Sequence, residues 1–351
     1  MFSMRNLHLA IPVMLAPMAG VSDLPFRLMA RKFGCPLAFT GMISARALCM
    51  ANSKTLKLLE SSPDDRPLGI QLLGREPEYL REALYVLDRF SYDVVDLNAA
   101  CPVRKVARKG EGAALLKEPR LLSKLVATLV AHARVPVTVK IRSGWDHASV
   151  NAREIAARIA DAGADAVCVH GRTRSQGYGG KADPDVIRSV KEAVSIPVIA
   201  SGDLFSVEAM EKVKRETGCD AAMVARGALG NPWIFREIAE AYGKGAIPSR
   251  PSVEELTGVM REHLRLSVEK HGEALGVIDF RKFFIWYTKG LKNGRLFRPK
   301  AVLVNTPDEM RGLIDELRMA RSPGLPHPAS QALPYEALEG PMPMSSPGWL
   351  H

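Results

Sequence analysis

Short apolar runs recur along the first two-thirds of the chain, each followed by a longer amphipathic stretch. The runs are 12–16 (PVMLA), 37–40 (LAFT), 67–72 (PLGIQL), 93–97 (DVVDL), 136–141 (PVTVKI), 165–169 (DAVCV), 197–200 (PVIA) and 220–224 (DAAMV). They are apolar nearly throughout, which marks strands buried on both faces, as in a parallel sheet. Stretches with a helical period lie between them, among them 77–89, 119–133, 151–162, 184–194 and 206–217. Asn151 with Glu154 three residues on predicts a capping box, and Pro184 suits a first helical turn. Eight strand–helix units over roughly 230 residues predict an α/β chain closed into a (β/α)8 TIM barrel. A doubly wound open sheet is the structural rival.

From about residue 242 the rhythm becomes helical only, with patterns over 252–270, 275–291 and 307–319. The expected organisation is a barrel over 1–241, an all-helical domain over 242–321 and a tail over 322–351. That tail holds seven prolines with scattered Gly and Ser, a composition that predicts disorder.

Charge narrows the partner. The 351 residues carry a formal net charge of +10 and a pI near 9.4, which favours a polyanionic partner, nucleic acid or an anionic membrane surface. No run of 18 apolar residues exists, so no membrane span is expected. The opening MFSMRNLHLAIPVMLAPMAG lacks a signal-peptide pattern, and a cytoplasmic protein is the expectation. The five cysteines (35, 49, 101, 168, 219) are widely spaced without a CxxC pair, so no zinc or other metal site is expected. No obligate protein partner is evident.

In a barrel, chemistry sits where the strands end. The polar or Gly-rich breaks there are Ala16-Pro17-Met18 after strand 1, Gln71 in strand 3, Asn98 and Cys101 after strand 4, and Lys140 in strand 5. His170 with Gly171-Arg172 follows strand 6, Ser201-Gly202-Asp203 strand 7 and Ala225-Arg226-Gly227 strand 8. Gly-rich turns after strands 7 and 8 predict a phosphate site, with Arg226 as a charged donor. Gln71 and Lys140 suit the polar edge of a flavin ring, which turns negative on reduction.

Six segments in order closely resemble the tRNA-dihydrouridine synthases: LAPMAGVSDLPFR (15–27), DLNAACPVRKV (96–106), VKIRSGWD (139–146), VCVHGRTRSQGYGG (167–180), IASGDLF (199–205) and ARGALGNPWIF (225–235). RKFFIWYTKGLKN (281–293) extends the similarity into the helical part. The resemblance implies FMN in the barrel mouth, NADPH as reductant and a uridine in tRNA as substrate. It implies Cys101 as general acid, with Pro17, Met18, Gln71, Lys140, His170, Ser201, Gly202, Asp203, Ala225 and Arg226 around FMN. Asn98 and Arg172 would face the uridine. The chain departs from the family pattern at Ala100 and Ala225, where glycine is usual, and at Ser201, where asparagine is usual. Only a positive φ at Ala100 or Ala225 would make those alanines costly, at roughly 1–2 kcal/mol.

Reducing the 5,6 bond of uracil needs a hydride on one carbon and a proton on the other. Cys101 can supply the proton only while protonated, so Arg104, Lys105, Arg108 and Lys109 should point away from its sulfur, toward RNA phosphate. A base in folded tRNA must be turned out to reach a barrel mouth. Segment 281–300 offers seven Lys/Arg and no acid for gripping RNA, with Phe284 and Trp286 expected in the core. The rival functions are another FMN barrel acting on a free pyrimidine or enone, and a catalytically silent RNA-binding relative.

Overall fold

The computed structural model describes residues 2–245, 248–291 and 293–320. The predicted tail at 322–351 and Lys292 lie outside the described residues. Eight parallel strands close on themselves: β1 (Val13–Leu15), β2 (Ala38–Phe39), β3 (Leu68–Leu73), β4 (Val94–Ala99), β5 (Val137–Arg142), β6 (Ala166–His170), β7 (Val198–Ser201) and β8 (Ala221–Val224). The ring is completed where Met223 of β8 lies opposite Met14 of β1. All eight predicted strands are present, and closure excludes the open sheet.

The two sides of each strand meet different environments, because successive side chains point to opposite faces. Outward residues such as Leu72, Leu97, Val139, Val169 and Val198 pack under the helices. The inward set includes Met14, Phe39, Val94, Ala166, Cys168, Ile199, Ala221 and Met223. A hairpin of Phe2–Met4 and Leu7–Leu9, not foreseen from sequence, plugs this interior with Phe2, Met4 and Leu9. Gly69 is tucked under Phe39: a Cβ there would stand 2.3 Å from the ring. The lower barrel is thus sealed by apolar side chains, and room for chemistry remains at the strand C-termini.

Helices follow the predicted spacing, and Pro184 does open its helix, Pro184–Ala193. The capping box at Asn151 is a correction. Asn151 Nδ2 donates to Leu116 O, while Glu154 pairs with Arg158 one turn on. A tertiary carbonyl captured the side chain that local pattern had assigned to the helix start. A small strand, Ile43–Ser44, also escaped notice; it extends the sheet beside Leu72 and Leu73 of β3.

The C-terminal helices are Val253–His271, Glu273–Tyr287, Gly294–Leu303 and Pro307–Met319. Sequence reading missed the third, which carries Pro299, a residue that disfavours helix, in its interior. It also missed Ile234–Lys244, which spans position 242. These helices share one apolar core with the barrel: Phe280, Phe283 and Phe284 join Val13, Leu15, Val224 and Trp233. The end of the Glu273–Tyr287 helix lies against Gly230, where a Cβ would meet the Trp286 carbonyl carbon at 2.3 Å. That close approach sets the helices beside the loop after β8.

His263 sits in this shared core, with Nδ1 3.0 Å from Tyr287 Oη and its ring 4.2 Å from that of Phe283. Burial holds its imidazole down at about 4, with Lys282 adding to the effect and Asp23 opposing it. In an unfolded chain a histidine titrates near ~6.5. The folded protein binds fewer protons between those values. Stability should therefore fall as pH drops from about 6.5 toward 4, by at most about 1.4 kcal/mol per pH unit, with no slope from this group above 6.5. We expect His263→Gln to be less stable at pH 7.5 yet to lose that acid slope in urea unfolding from pH 7.5 to 4.5. A mutant with the wild-type slope would show that another group titrates.

Candidate active site

The inward parity that is apolar low in the barrel becomes polar at the top. Gln71, Asn98, Lys140, His170 and Ser201 all lie on it and all are buried. Register places Asn98 beside Lys140, and Ser201 beside His170. A layer of five polar side chains in a sealed barrel costs free energy unless each finds a partner, in the protein or in a ligand.

Some partners are internal. Gln71 Nε2 donates to Asp96 Oδ2 at 2.7 Å, Thr138 Oγ1 donates to Asp96 Oδ1 at 2.6 Å, and Asn98 Nδ2 donates to Gln71 Oε1 at 2.7 Å. Asn98 Oδ1 accepts from the backbone N–H groups of Ala100 and Cys101, at 3.1 and 2.8 Å. The loop carrying Cys101 is pinned from other sides too: Arg142 Nε donates to Ala100 O, and Ala113 N donates to Cys101 O. Gly112 must be glycine here, since φ is +61° and a Cβ would stand 2.9 Å from Cys101 Cβ.

Burial pushes the Cys101 thiol up, assisted by Glu111 and opposed by the Val103 backbone and Arg142. The thiol therefore holds its proton at neutral pH. Arg104, Lys105, Arg108 and Lys109 are exposed and are not among the groups acting on it. Burial also pushes the Asp96 carboxyl to about 7, against the pull of Thr138, Gln71 and Lys140. His170 is held well below the usual imidazole range by burial and by Lys140, Arg142, Arg172 and Arg226, so its ring is neutral.

Above this layer Asp203 organises the rim. It adopts φ +55°, a left-handed backbone uncommon outside glycine. Its carboxylate accepts from Arg172 Nη2 at 2.8 Å, from Ala182 N at 2.9 Å and from Arg226 Nη2 at 3.1 Å. Arg172 also donates to the Gly179 and Gly180 carbonyls. The Arg226 guanidinium lies over Tyr178 and Phe205, 5.1 and 5.4 Å from the ring centres. On the β1 side, Met18 N donates to Ser22 Oγ, which donates to Ala16 O, fixing the turn that carries Pro17 and Met18.

The remaining polar atoms leave charge and hydrogen-bonding capacity of the kind a phosphate-bearing cofactor needs. His170 Nε2 is buried with no hydrogen-bond partner among the described residues. Lys140 is 8% exposed and makes no hydrogen bond or ion pair among them. Gly202 leaves open the space beside His170: a Cβ there would press on Ala182 at 2.8 Å and come within 3.4 Å of the His170 ring. Arg226 stands next to that gap, at the top of β8.

The structure thus brings together Gln71, Asn98, Lys140, His170 and Ser201, with Gly202, Asp203, Ala225 and Arg226 on one rim and Cys101 on another. Two expected substrate residues are placed differently from the others. Arg172 is wholly buried, committed to Asp203 and two backbone carbonyls, and both ends of the Asn98 amide are engaged within the protein. Asp96, Thr138 and Arg142 were missed. Asp96 and Thr138 share the inward parity of Asn98 and Lys140, a signal hidden by reading those strands as uniformly apolar. Neither alanine that departs from the family pattern takes a positive φ: it is −113° at Ala225, and Ala100 is not among the positive-φ residues.

A family model described as dihydrouridine synthase (Dus) matches residues 14–321. The chain is 38% identical over 317 residues to a probable tRNA-dihydrouridine synthase of Rickettsia conorii, covering 90% of this chain and 96% of that one. It is 36% identical over 324 residues to tRNA-dihydrouridine synthase B of Xanthomonas axonopodis pv. citri, covering 92% and 98%. Among solved structures, 6-hydroxypseudooxynicotine amine oxidase (HisD) from Pseudomonas geniculata N1 superposes with a TM-score of 0.53 at 14% identity, over 66% of this chain and 47% of that one, a likeness of fold alone.

The Asp203 rim can be tested apart from activity. Asp203→Ala takes the carboxylate away from the buried Arg172 and from Arg226 and should destabilise the protein by about 3 kcal/mol. Asp203→Asn keeps an acceptor and tolerates the left-handed backbone, so it should lose much less. Urea unfolding of the two variants measures this; an alanine mutant within about 1 kcal/mol of wild type would show that the carboxylate does not hold the rim.

Proposed function

This chain belongs to the dihydrouridine synthase family of oxidoreductases, and from that premise we propose that it reduces uridines in tRNA to 5,6-dihydrouridine with FMN bound in the barrel mouth and NADPH as reductant. The observation that carries this reading is Cys101: a buried, protonated thiol on a loop locked above a buried lysine and an unpartnered neutral histidine. When bound, reduced FMN supplies the hydride. Lys140 would offer a fixed cation to the ring edge that becomes negative, and Gln71, its amide held by Asp96 and Asn98, would line that edge. His170 presents Nε2 to the cofactor. Pro17, Met18 and Ala225 line its seat, while Ser201, Gly202, Asp203 and Arg226 hold the phosphate end.

Cys101 acts as general acid, giving its Sγ proton to the uracil carbon opposite the hydride. A thiol with a raised pKa is a weak acid, yet it is fully protonated at pH 7 and needs no preceding proton uptake. Asn98 and Arg172 act on the uridine side chiefly by shaping the walls: one folds the Cys101 loop, the other braces Asp203. The chain has no helix long and apolar enough to cross a membrane among the described residues.

For tRNA, the exposed cations flank the mouth. Arg104, Lys105, Arg108 and Lys109 lie on the loop that follows Cys101. On the helical side Lys289 is near both Arg298 and Arg226, and its ammonium is held below the ordinary range by burial and by those two cations. That convergence of positive charge favours a phosphate. Two residues expected to grip RNA are committed elsewhere: Arg281 donates to Val304 O and Asn305 Oδ1, and Lys282 to Gly20 O. Phe283, Phe284, Tyr287 and Phe297 are core residues, unavailable for stacking on bases. The proposed division of labour is a barrel that performs the reduction and a helical segment, with the Cys101-side loop, that holds the tRNA backbone.

Cys101→Ala should keep its yellow flavin and its affinity for tRNA, while dihydrouridine formation under single turnover falls about 10²–10⁴-fold. Near-normal product would reduce Cys101 to a structural residue, and a colourless protein that cannot be loaded with FMN would remove the mechanism.

Replacing Arg104, Lys105, Arg108 and Lys109 by Ala should flatten the plot of log tRNA affinity against log salt by about 0.7–0.9 for each phosphate no longer neutralised. Arg295→Ala with Arg298→Ala should do so on the helical side. Affinity should fall alike for every tRNA, since cations that meet only phosphate carry no base information. A wild-type slope in either set would place that surface off the RNA track.

A further inference from the structure

The hydrogen bonds beneath Cys101 form one directed chain. At its lower end is Asp96, in the layer below the site and 1% exposed. From there the chain runs through the Gln71 amide and the Asn98 amide to the N–H of Cys101, with distances of 2.7, 2.7 and 2.8 Å. The two ends of a carboxamide are almost the same size, so its orientation is set only by its partners. Asp96 Oδ2 can only accept here. It forces the Gln71 NH2 toward itself and the Gln71 Oε1 toward Asn98. Asn98 must then offer its NH2 downward and its oxygen upward, where two backbone N–H groups need it.

We propose that Asp96 is a positioning residue for Cys101, acting through the Gln71 and Asn98 amides to hold the cysteine loop in its closed geometry. The role rests on the reading of Cys101 as the proton donor. Thr138 donates to Asp96 Oδ1 at 2.6 Å, which leaves Oδ2 to accept from Gln71. An asparagine can keep the acceptor toward Gln71, with its amide nitrogen turned to the Thr138 hydroxyl oxygen. A leucine of the same shape cannot. In Asp96→Leu the buried Gln71 NH2 loses its acceptor and swings to find another, which releases the Asn98 NH2 and loosens the support under the Cys101 N–H.

Two other buried cysteines supply internal controls. Cys35 and Cys219 lie away from the chain and do not feel Asp96, whereas Cys168 feels the charges of Asp96 and Lys140 and is not a control. The experiment alkylates the full-length protein as purified with iodoacetamide and follows each cysteine by mass spectrometry, with flavin content read by absorbance. In Asp96→Leu the alkylation of Cys101 should rise about five- to tenfold, the loss of one buried hydrogen bond, while Cys35 and Cys219 keep their wild-type rates. Asp96→Asn should restore the wild-type rate at Cys101 to within about twofold. The kcat for dihydrouridine formation should fall in Asp96→Leu with little change in KM for tRNA. If that variant does not fold, Gln71→Met cuts the same link from the other side and should give the same selective rise. A Cys101 rate unchanged in the folded variants, or a rise shared by Cys35 and Cys219, overturns the proposal. Full activity of Cys101→Ala would instead overturn the proton-donor reading, whatever the alkylation pattern shows.

Discussion

In a closed parallel barrel every second residue of a strand faces a space with no water, and the sequence must fill it. This protein fills the lower levels with Met14, Phe39, Cys168, Ile199 and Met223 and seals the bottom with Phe2, Met4 and Leu9. At the top it places amide, ammonium, imidazole and hydroxyl groups instead. Groups of that kind cannot be left without partners in a low-dielectric interior. Asp96, Gln71 and Asn98 satisfy one another and the cysteine loop. Lys140 and His170 do not, and that remaining polarity faces the mouth. The division between satisfied and unsatisfied members of one layer is what makes the barrel end a site.

The rim obeys the same rule by different means. Asp203 takes a backbone conformation that alanine or a β-branched residue would resist, and its carboxylate draws in Arg172 and Arg226. Arg172 is thereby held in the wall and Arg226 at the top of β8. The loop strain and the ion pairs are parts of one device: strain is retained because two cations and a backbone N–H over-determine it. The helical segment is tied to the same place by packing. Trp286 closes on Gly230 just beyond β8, so Lys289 and Arg298 come up beside Arg226. Phe283, Phe284, Trp233 and Leu15 share one apolar core, so the placement is held by packing.

Much of this was legible in the chain, and the reason is periodicity. Eight apolar runs with helical intervals announced a barrel, and polar breaks after those runs named Gln71, Asn98, Cys101, Lys140, His170 and the Ser201–Asp203 and Ala225–Arg226 turns as one rim. Local pattern failed where a distant group competed for a side chain. Asn151 was taken by Leu116 rather than by its own helix, and Arg281 and Lys282, basic residues in a basic segment, were taken by carbonyls at Val304 and Gly20. The helix Gly294–Leu303 formed around an interior Pro299 and was not foreseen.

Sequence by itself determined the barrel, its family and the list of chemical groups, because strand period, turn residues and motif order are properties of neighbours along the chain. Only the tertiary structure decided what those groups do to one another. Whether Asn98 faces outward or folds the cysteine loop, whether Arg172 meets a ligand or braces Asp203, and whether the cations at 104–109 reach the Cys101 sulfur are questions of which atoms lie within about 3 Å. Burial, too, exists only in three dimensions, and it is burial that keeps the Cys101 thiol protonated and the His170 ring neutral.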